Sequence, residues 1–180
     1  MSSSKRHPRK AGRSRRRPMP PALARRPKWK QVPIPYVMFI DERGRPDFRV
    51  NDEAKRIGTI NRRLCALCGQ PLPQRRAAFI GGPLCEQNGL FIDGPMHESC
   101  ARYAFTICPY LAAPNAHHAQ TGAVFARHHD QRLSVSSLAG STRPDRMGLF
   151  FASAWRIVRV QGDPQLYFHV GQFEQIEWRP

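Results

Sequence analysis

The apolar residues of this chain arrive in short bursts whose spacing changes along its length. Tyr36-Val37-Met38-Phe39-Ile40 and Phe48-Arg49-Val50 flank the turn-rich stretch DERGRPD, which predicts a β-hairpin. In NDEAKRIGTINRRL the rhythm becomes helical: Ala54, Ile57, Ile60 and Leu64 share one stripe, Asn51 can cap, and Asp52 and Glu53 suit a positive helix N-terminus. A helix over residues 52–63 follows, with that stripe buried and Lys55, Arg56, Arg62 and Arg63 in water. Ala77–Ile80 and Leu90–Ile92 are two further bursts, read as a second hairpin with GGPLCEQNG as its wide loop. MHESCARYAFTIC returns to helical spacing, burying Cys100/Ala101, Ala104/Phe105 and Cys108 until Pro109 ends it. Residues 111–147 show little periodicity. From Leu149 the stretches LFFASAWRIVRV, QLYFHV and FEQIEW, punctuated by Gly162-Asp163-Pro164 and Gly171, predict a three-stranded antiparallel meander. The fold class is α+β, with a folded unit at 31–115, a His-rich linker at 116–147 and a C-terminal β-meander at 148–180 packing on the first unit; no internal repeat is evident.

Charge divides the chain differently. Residues 1–30 hold twelve Lys/Arg and no Asp or Glu, so they supply +12 of the formal +16. Residues 31–180 carry seventeen Lys/Arg against thirteen Asp/Glu, only +4. The N-terminal stretch also has five prolines, four serines and few bulky apolar residues, too little to offset its ordering entropy; residues 1–30 are expected to form a disordered basic tail. Such an arm neutralises phosphates by counterion release, so Arg9, Arg13, Arg15, Arg16, Arg17, Arg25, Arg26, Lys28 and Lys30 are candidate contacts to DNA or RNA. Arg62, Arg63, Arg75 and Arg76 could extend that surface onto the folded body. No apolar run approaches the ~20 residues needed to cross a bilayer. An odd count of five cysteines without a secretion signal points to a reducing cytoplasm. Arginine outnumbers lysine 24 to 5, which fits a GC-rich bacterial genome and sets aside a transit-peptide reading of the tail.

In that compartment clustered cysteines are metal ligands more often than disulfides. CALCG at Cys65–Gly69 and HESC at His97–Cys100 complete a C-x2-C, H-x2-C set. Zinc takes four soft or borderline donors at tetrahedral corners, and three Cys with one His is a common structural set. His97 and Cys100 lie one turn apart at a helix N-terminus, whose partial positive charge favours thiolate. Gly69 fits the tight turn behind the second cysteine. The expected ligands are Cys65, Cys68, His97 and Cys100 around one structural Zn2+, with Cys85 as a rival for the fourth position. Cys108 lies eleven residues beyond His97, ~16 Å along a helix axis, too far to share the ion.

The order of knuckle, hairpin and ligand-bearing helix resembles the treble-clef zinc finger over residues 64–109. The longer pattern LCALCGQPL … FIDGPMHESCARYAFTICPYL resembles a group of uncharacterised proteins from actinobacteria and their phages; that resemblance implies the zinc site and a genomic setting, and no activity.

Catalytic zinc keeps a position open for water, and four protein ligands close it. Nuclease members of the treble-clef group carry a histidine on the hairpin; residues 77–94 have none. Glu86, Asp93 and Glu98 are isolated carboxylates. His117-His118 and His128-His129, with Asp130, could hold a second metal, but adjacent histidines diverge on a helix and Gly122 weakens one. The expectation is therefore a non-enzymatic, zinc-stabilised nucleic-acid-binding accessory protein of phage or mobile-element type. The alternatives are an adaptor for a host or phage protein and, third, a metal-dependent hydrolase.

Overall fold

The computed structural model describes residues 17–108, 111, 133–134, 144–163 and 165–179. His117, His118, His128, His129 and Asp130 lie outside them, as do Pro109 and Arg9, Arg13, Arg15 and Arg16. The fold is α+β, with small antiparallel sheets and few helices. Among the described residues no helix is long and apolar enough to cross a membrane.

The chain enters through α1 (Pro21–Ala24) and the two-residue strands β1 (Lys28–Trp29) and β2 (Val32–Pro33). Residues 17–30, expected in the disordered tail, are thus structured. The reason is an apolar anchor: Leu23 is buried in the core cluster with Met19 and Ala22 packed against it, and Arg26 Nε donates to the Ile34 carbonyl at 3.1 Å. The first hairpin forms as expected from β3 (Met38–Ile40) and β4 (Pro46–Asp52).

Helix α2 (Glu53–Arg62) follows, capped by Asp52 rather than Asn51 through the Asp52 carboxylate and the Lys55 N–H. Its buried face differs from the expected stripe. Ala54 is exposed, Ile57 and Ile60 are half-buried, and Arg56 is fully buried beside Thr59. Burial of that guanidinium is tolerated because its donors are satisfied: Nε and Nη2 reach the two Glu53 oxygens at 2.6 and 2.7 Å, and Nη1 reaches the Leu166 carbonyl at 2.7 Å.

The expected second hairpin is absent. β5 (Ala77–Gly81) and β6 (Leu90–Phe91) belong to different sheets, and the connector folds as α3 (Pro83–Asn88). Pro83 opens that helix, where its missing N–H costs nothing, and Gly89 closes it at φ 68°. A Cβ on Gly89 would stand 2.3 Å from the Val170 carbonyl oxygen. Helix α4 (Glu98–Ile107) then packs on β5 and on β8 (Met147–Ala152), burying Cys100, Ala101, Tyr103 and Phe105, with Ala104 and Cys108 half-buried.

The C-terminal meander is likewise not one sheet. LFFASAWRIVRV breaks at Ser153–Trp155 into β8 and β9 (Arg156–Arg159), followed by β10 (Leu166–His169) and β11 (Gln175–Arg179). β8 inserts between β11 and β5, while β10 inserts between β6 and β9. Pairing with β5 and β6 satisfies backbone groups that the missing hairpin would have left open. A further two-residue strand, β7 (Leu133–Ser134), lies within the expected linker and pairs with β4.

Every residue of β8 is buried. Met147, Leu149 and Phe151 face a cluster built around the two cysteine pairs, whereas Phe150 and Ala152 face a second cluster with Phe79, Phe91 and Phe168. Alternation of side chains across a strand puts an apolar layer on each face, which is why this strand reads as a continuous apolar run.

Candidate metal centre

Cys65, Cys68, His97 and Cys100 converge so that one donor atom from each lies within 4.8 Å of every other. The three cysteines are buried and His97 is half-buried. The local backbone explains the convergence. Cys65 N–H donates to the Gln70 carbonyl and Gly69 N–H to the Cys65 carbonyl, both at 2.8 Å, closing the knuckle. Gly69 sits at φ 74°, and a Cβ there would lie 2.6 Å from the Tyr36 ring, so this position requires glycine twice over. The knuckle is gripped from outside by Tyr36 N–H on the Leu67 carbonyl (2.9 Å) and Val37 N–H on the Ala66 carbonyl (3.2 Å). Ala66 N–H in turn donates to the Pro95 carbonyl at 3.1 Å, and paired 2.9 Å bonds between Ala78 and Met96 fix the approach to α4. His97 is the N-cap residue of α4 and Cys100 lies in its first turn.

The histidine tautomer is set by chemistry. His97 Nε2 lies 2.9 Å from the Pro71 carbonyl oxygen, which can only accept, so Nε2 carries the proton. The Nδ1 lone pair then faces the cluster, 3.3 Å from Cys68 Sγ. At zinc bond lengths of about 2.3 Å to sulfur and about 2.0–2.1 Å to nitrogen, a tetrahedral ion holds those two donors roughly 3.6 Å apart. The donor set is thus compact enough to close on one ion, and its histidine is oriented from behind as metal-bound imidazoles usually are.

Electrostatics agree with the geometry. Cys65 is held well below the ordinary thiol value by hydrogen bonds from Cys100 and then Cys68, helped by the Cys68 and His97 backbone N–H groups. The same contacts push Cys100 up, because a second thiolate beside the first is opposed. His97 is raised, first by its contact with Cys68 and against the effect of its burial. Three sulfurs this close cannot all ionise without a shared cation.

Cys85, the rival ligand, is on α3 outside this group; it packs against the second apolar cluster, and burial pushes its thiol up. Cys108 also lies outside. The carboxylates weighed for catalysis have other partners: Glu86 meets Arg146 at 3.7 Å, Asp93 accepts from Asn51 at 2.8 Å, and Glu98 pairs with Arg102 at 2.9 Å. Of the candidate phosphate contacts, Arg17, Arg25, Lys28 and Lys30 are exposed, and half-buried Arg26 lies over the Tyr36 ring beside the knuckle. Arg62 donates to the Tyr36 hydroxyl at 3.0 Å. Arg76 is half-buried over Phe151, and Arg75 is exposed. Sequence reasoning missed Tyr36, against which Gly69 and Arg26 both pack, and Pro71, whose carbonyl no motif would mark.

No known protein family, curated protein or solved structure matches the chain.

Proposed function

We propose that this protein is a zinc-stabilised nucleic-acid-binding accessory protein of phage or mobile-element type. One Zn2+, held by Cys65, Cys68, His97 and Cys100, cross-links the knuckle to α4 and neutralises the crowded thiolates. Four protein donors leave no position for a reactive water, so the role is structural. The basic N-terminal arm supplies the contact to phosphates. The observation that carries this reading is charge: twelve cations and no carboxylate in the first thirty residues. Arg25, Lys28 and Lys30 are exposed and form no ion pair among the described residues, so they remain free for an external anion. The arm's root is anchored on the folded body by Leu23 and Arg26, which fixes where the phosphates would meet it.

The test is a salt titration of duplex DNA and RNA binding by the intact chain and by a chain lacking residues 1–16, a deletion that spares Leu23. Engagement of six to ten phosphates makes affinity fall by roughly 10³–10⁵ between 50 and 200 mM salt. The shortened chain is expected to lose much of that slope, and both chains to discriminate weakly between sequences, since phosphate contacts position a protein without reading bases. Absence of binding by the intact chain at physiological salt would replace this reading with that of a protein-interaction adaptor.

A further inference from the structure

Between α2 and the turn joining β8 to β9 lies a cleft of about 240 Å³. Ile60, Ile157 and Phe168 make its apolar walls, Trp155, Arg63 and Arg156 line it as well, and no carboxylate does. Sites for drug-sized ligands span about 300–1,000 Å³, so this one has room for a single small planar group. The Arg63 guanidinium already lies over the Trp155 indole, 4.7 Å from the ring centroid, and Phe79 braces the same indole edge-on at 5.7 Å. Arg63 and Arg156 are exposed and form no ion pair among the described residues.

The backbone beneath Arg63 is unusual. It takes φ 49° and ψ 53°, the left-handed conformation that closes α2, where glycine is the common occupant. A residue with a Cβ is held there against its preference, and its long side chain is what reaches the indole. Lys30 and Gln31 also take positive φ in the turn between β1 and β2, so what singles out Arg63 is the indole that its side chain covers.

We propose that this cleft receives one unstacked base of a single-stranded nucleic acid, with Trp155 and Arg63 supplying stacking faces and Arg156 an adjacent phosphate. The unbalanced guanidinium pair selects an anionic ligand, the indole–guanidinium stack a planar one, and the apolar walls a ring. A flexible single strand offers all three together; a duplex does not, because its bases are paired and stacked. The inference takes its partner class from the nucleic-acid reading above but does not depend on the N-terminal arm.

Binding of the full-length protein to a labelled oligothymidylate, an oligouridylate and a DNA duplex of equal phosphate number, at one salt concentration, tests it. The double variant Arg63→Gly with Arg156→Ala changes two exposed side chains, and glycine suits the backbone at position 63. It is expected to weaken single-strand binding roughly ten-fold, the scale of one lost base stack, and to leave duplex binding nearly unchanged. Trp155→Leu should reproduce that loss, with thermal melting reporting any effect on folding. Unchanged single-strand affinity in the double variant, or an equal loss on strand and duplex, overturns the proposal. So does binding of a polyglutamate peptide that falls in parallel, since the cleft would then read charge alone. Single-strand binding that survives deletion of residues 1–16 but falls in the cleft variant sustains this site while removing the arm. The converse result sustains the arm and removes the cleft.

Discussion

Three sulfurs and one imidazole share the cluster, each within reach of the others, and single substitutions test which of them the ion needs. Cys65→Ser and Cys100→Ser each remove a buried donor and are expected to yield protein with little or no zinc by elemental analysis. Cys85→Ser, on α3 away from the cluster, should retain one ion per chain. Loss of metal in the Cys85 variant, with none in His97→Ala, would reassign the fourth ligand. Arg56 has a different role: it ties α2 to β10 through the Leu166 carbonyl. Arg56→Met leaves that carbonyl and the Glu53 carboxylate without their partner and is expected to destabilise the fold by about 3 kcal/mol in chemical denaturation. Arg56→Lys should rescue little of it, because one ammonium cannot reproduce a two-pronged pairing.

At the level of elements, α4 and β11 are joined by Arg102, which holds both Glu177 oxygens at 2.5 and 2.6 Å and Glu98 at 2.9 Å. The Arg102 contact is the main reason Glu177 is held below its ordinary value of 4.5. A lowered carboxylate contributes stability above its unfolded pKa and loses it as pH falls through the folded one. The pair is partly solvated, so Glu177→Gln is expected to cost only about 0.5–1 kcal/mol at pH 7, and the gap to the native chain should close below about pH 4.5. Release of a zinc ion held by the cluster would affect both chains alike on acidification, so the difference in melting isolates the carboxylate. What could be read from sequence at this scale was whatever is decided locally. The CxxCG turn, the span of α2, and the placement of His97 and Cys100 at the head of α4 all follow from residues a few positions apart. Strand partners did not, because β5 finds β8 some seventy residues later and nothing in AAFIG distinguishes that partner from LFI nearby. Helix α3 carried its Pro and Gly boundary signals, yet its exposed Leu84 offers no amphipathic stripe to support them. Arg56 reads as solvent-facing until the Leu166 carbonyl of distant β10 is in place.

For the molecule as a whole, the two pairs of donors are the link between an otherwise long-range set of strands. Helix α4 lies against both β5 and β8, so an ion held by the four donors would stabilise well beyond its ligands. Structural zinc contributes about 10–16 kcal/mol in zinc-finger peptides. Chelation is therefore expected to abolish hydrogen-exchange protection not only over residues 64–108 but also in β8 and β11; protection kept in those strands would show that the sheet stands without the ion. The interleaving of early and late strands also has a bearing on how the protein is made. Ala77 of β5 pairs with Ala152, and Phe91 of β6 with Phe168. At about 5–20 residues per second, a ribosome needs roughly 4–15 s to add the intervening chain. Once Cys100 has been added, the nascent polypeptide has its complete set of cysteine and histidine donors, yet for the rest of that interval it carries two sticky, half-built sheets. Capturing the ion early would clamp the emerging half into shape while it waits, and would shorten the window in which neighbouring chains can add themselves to its open edges.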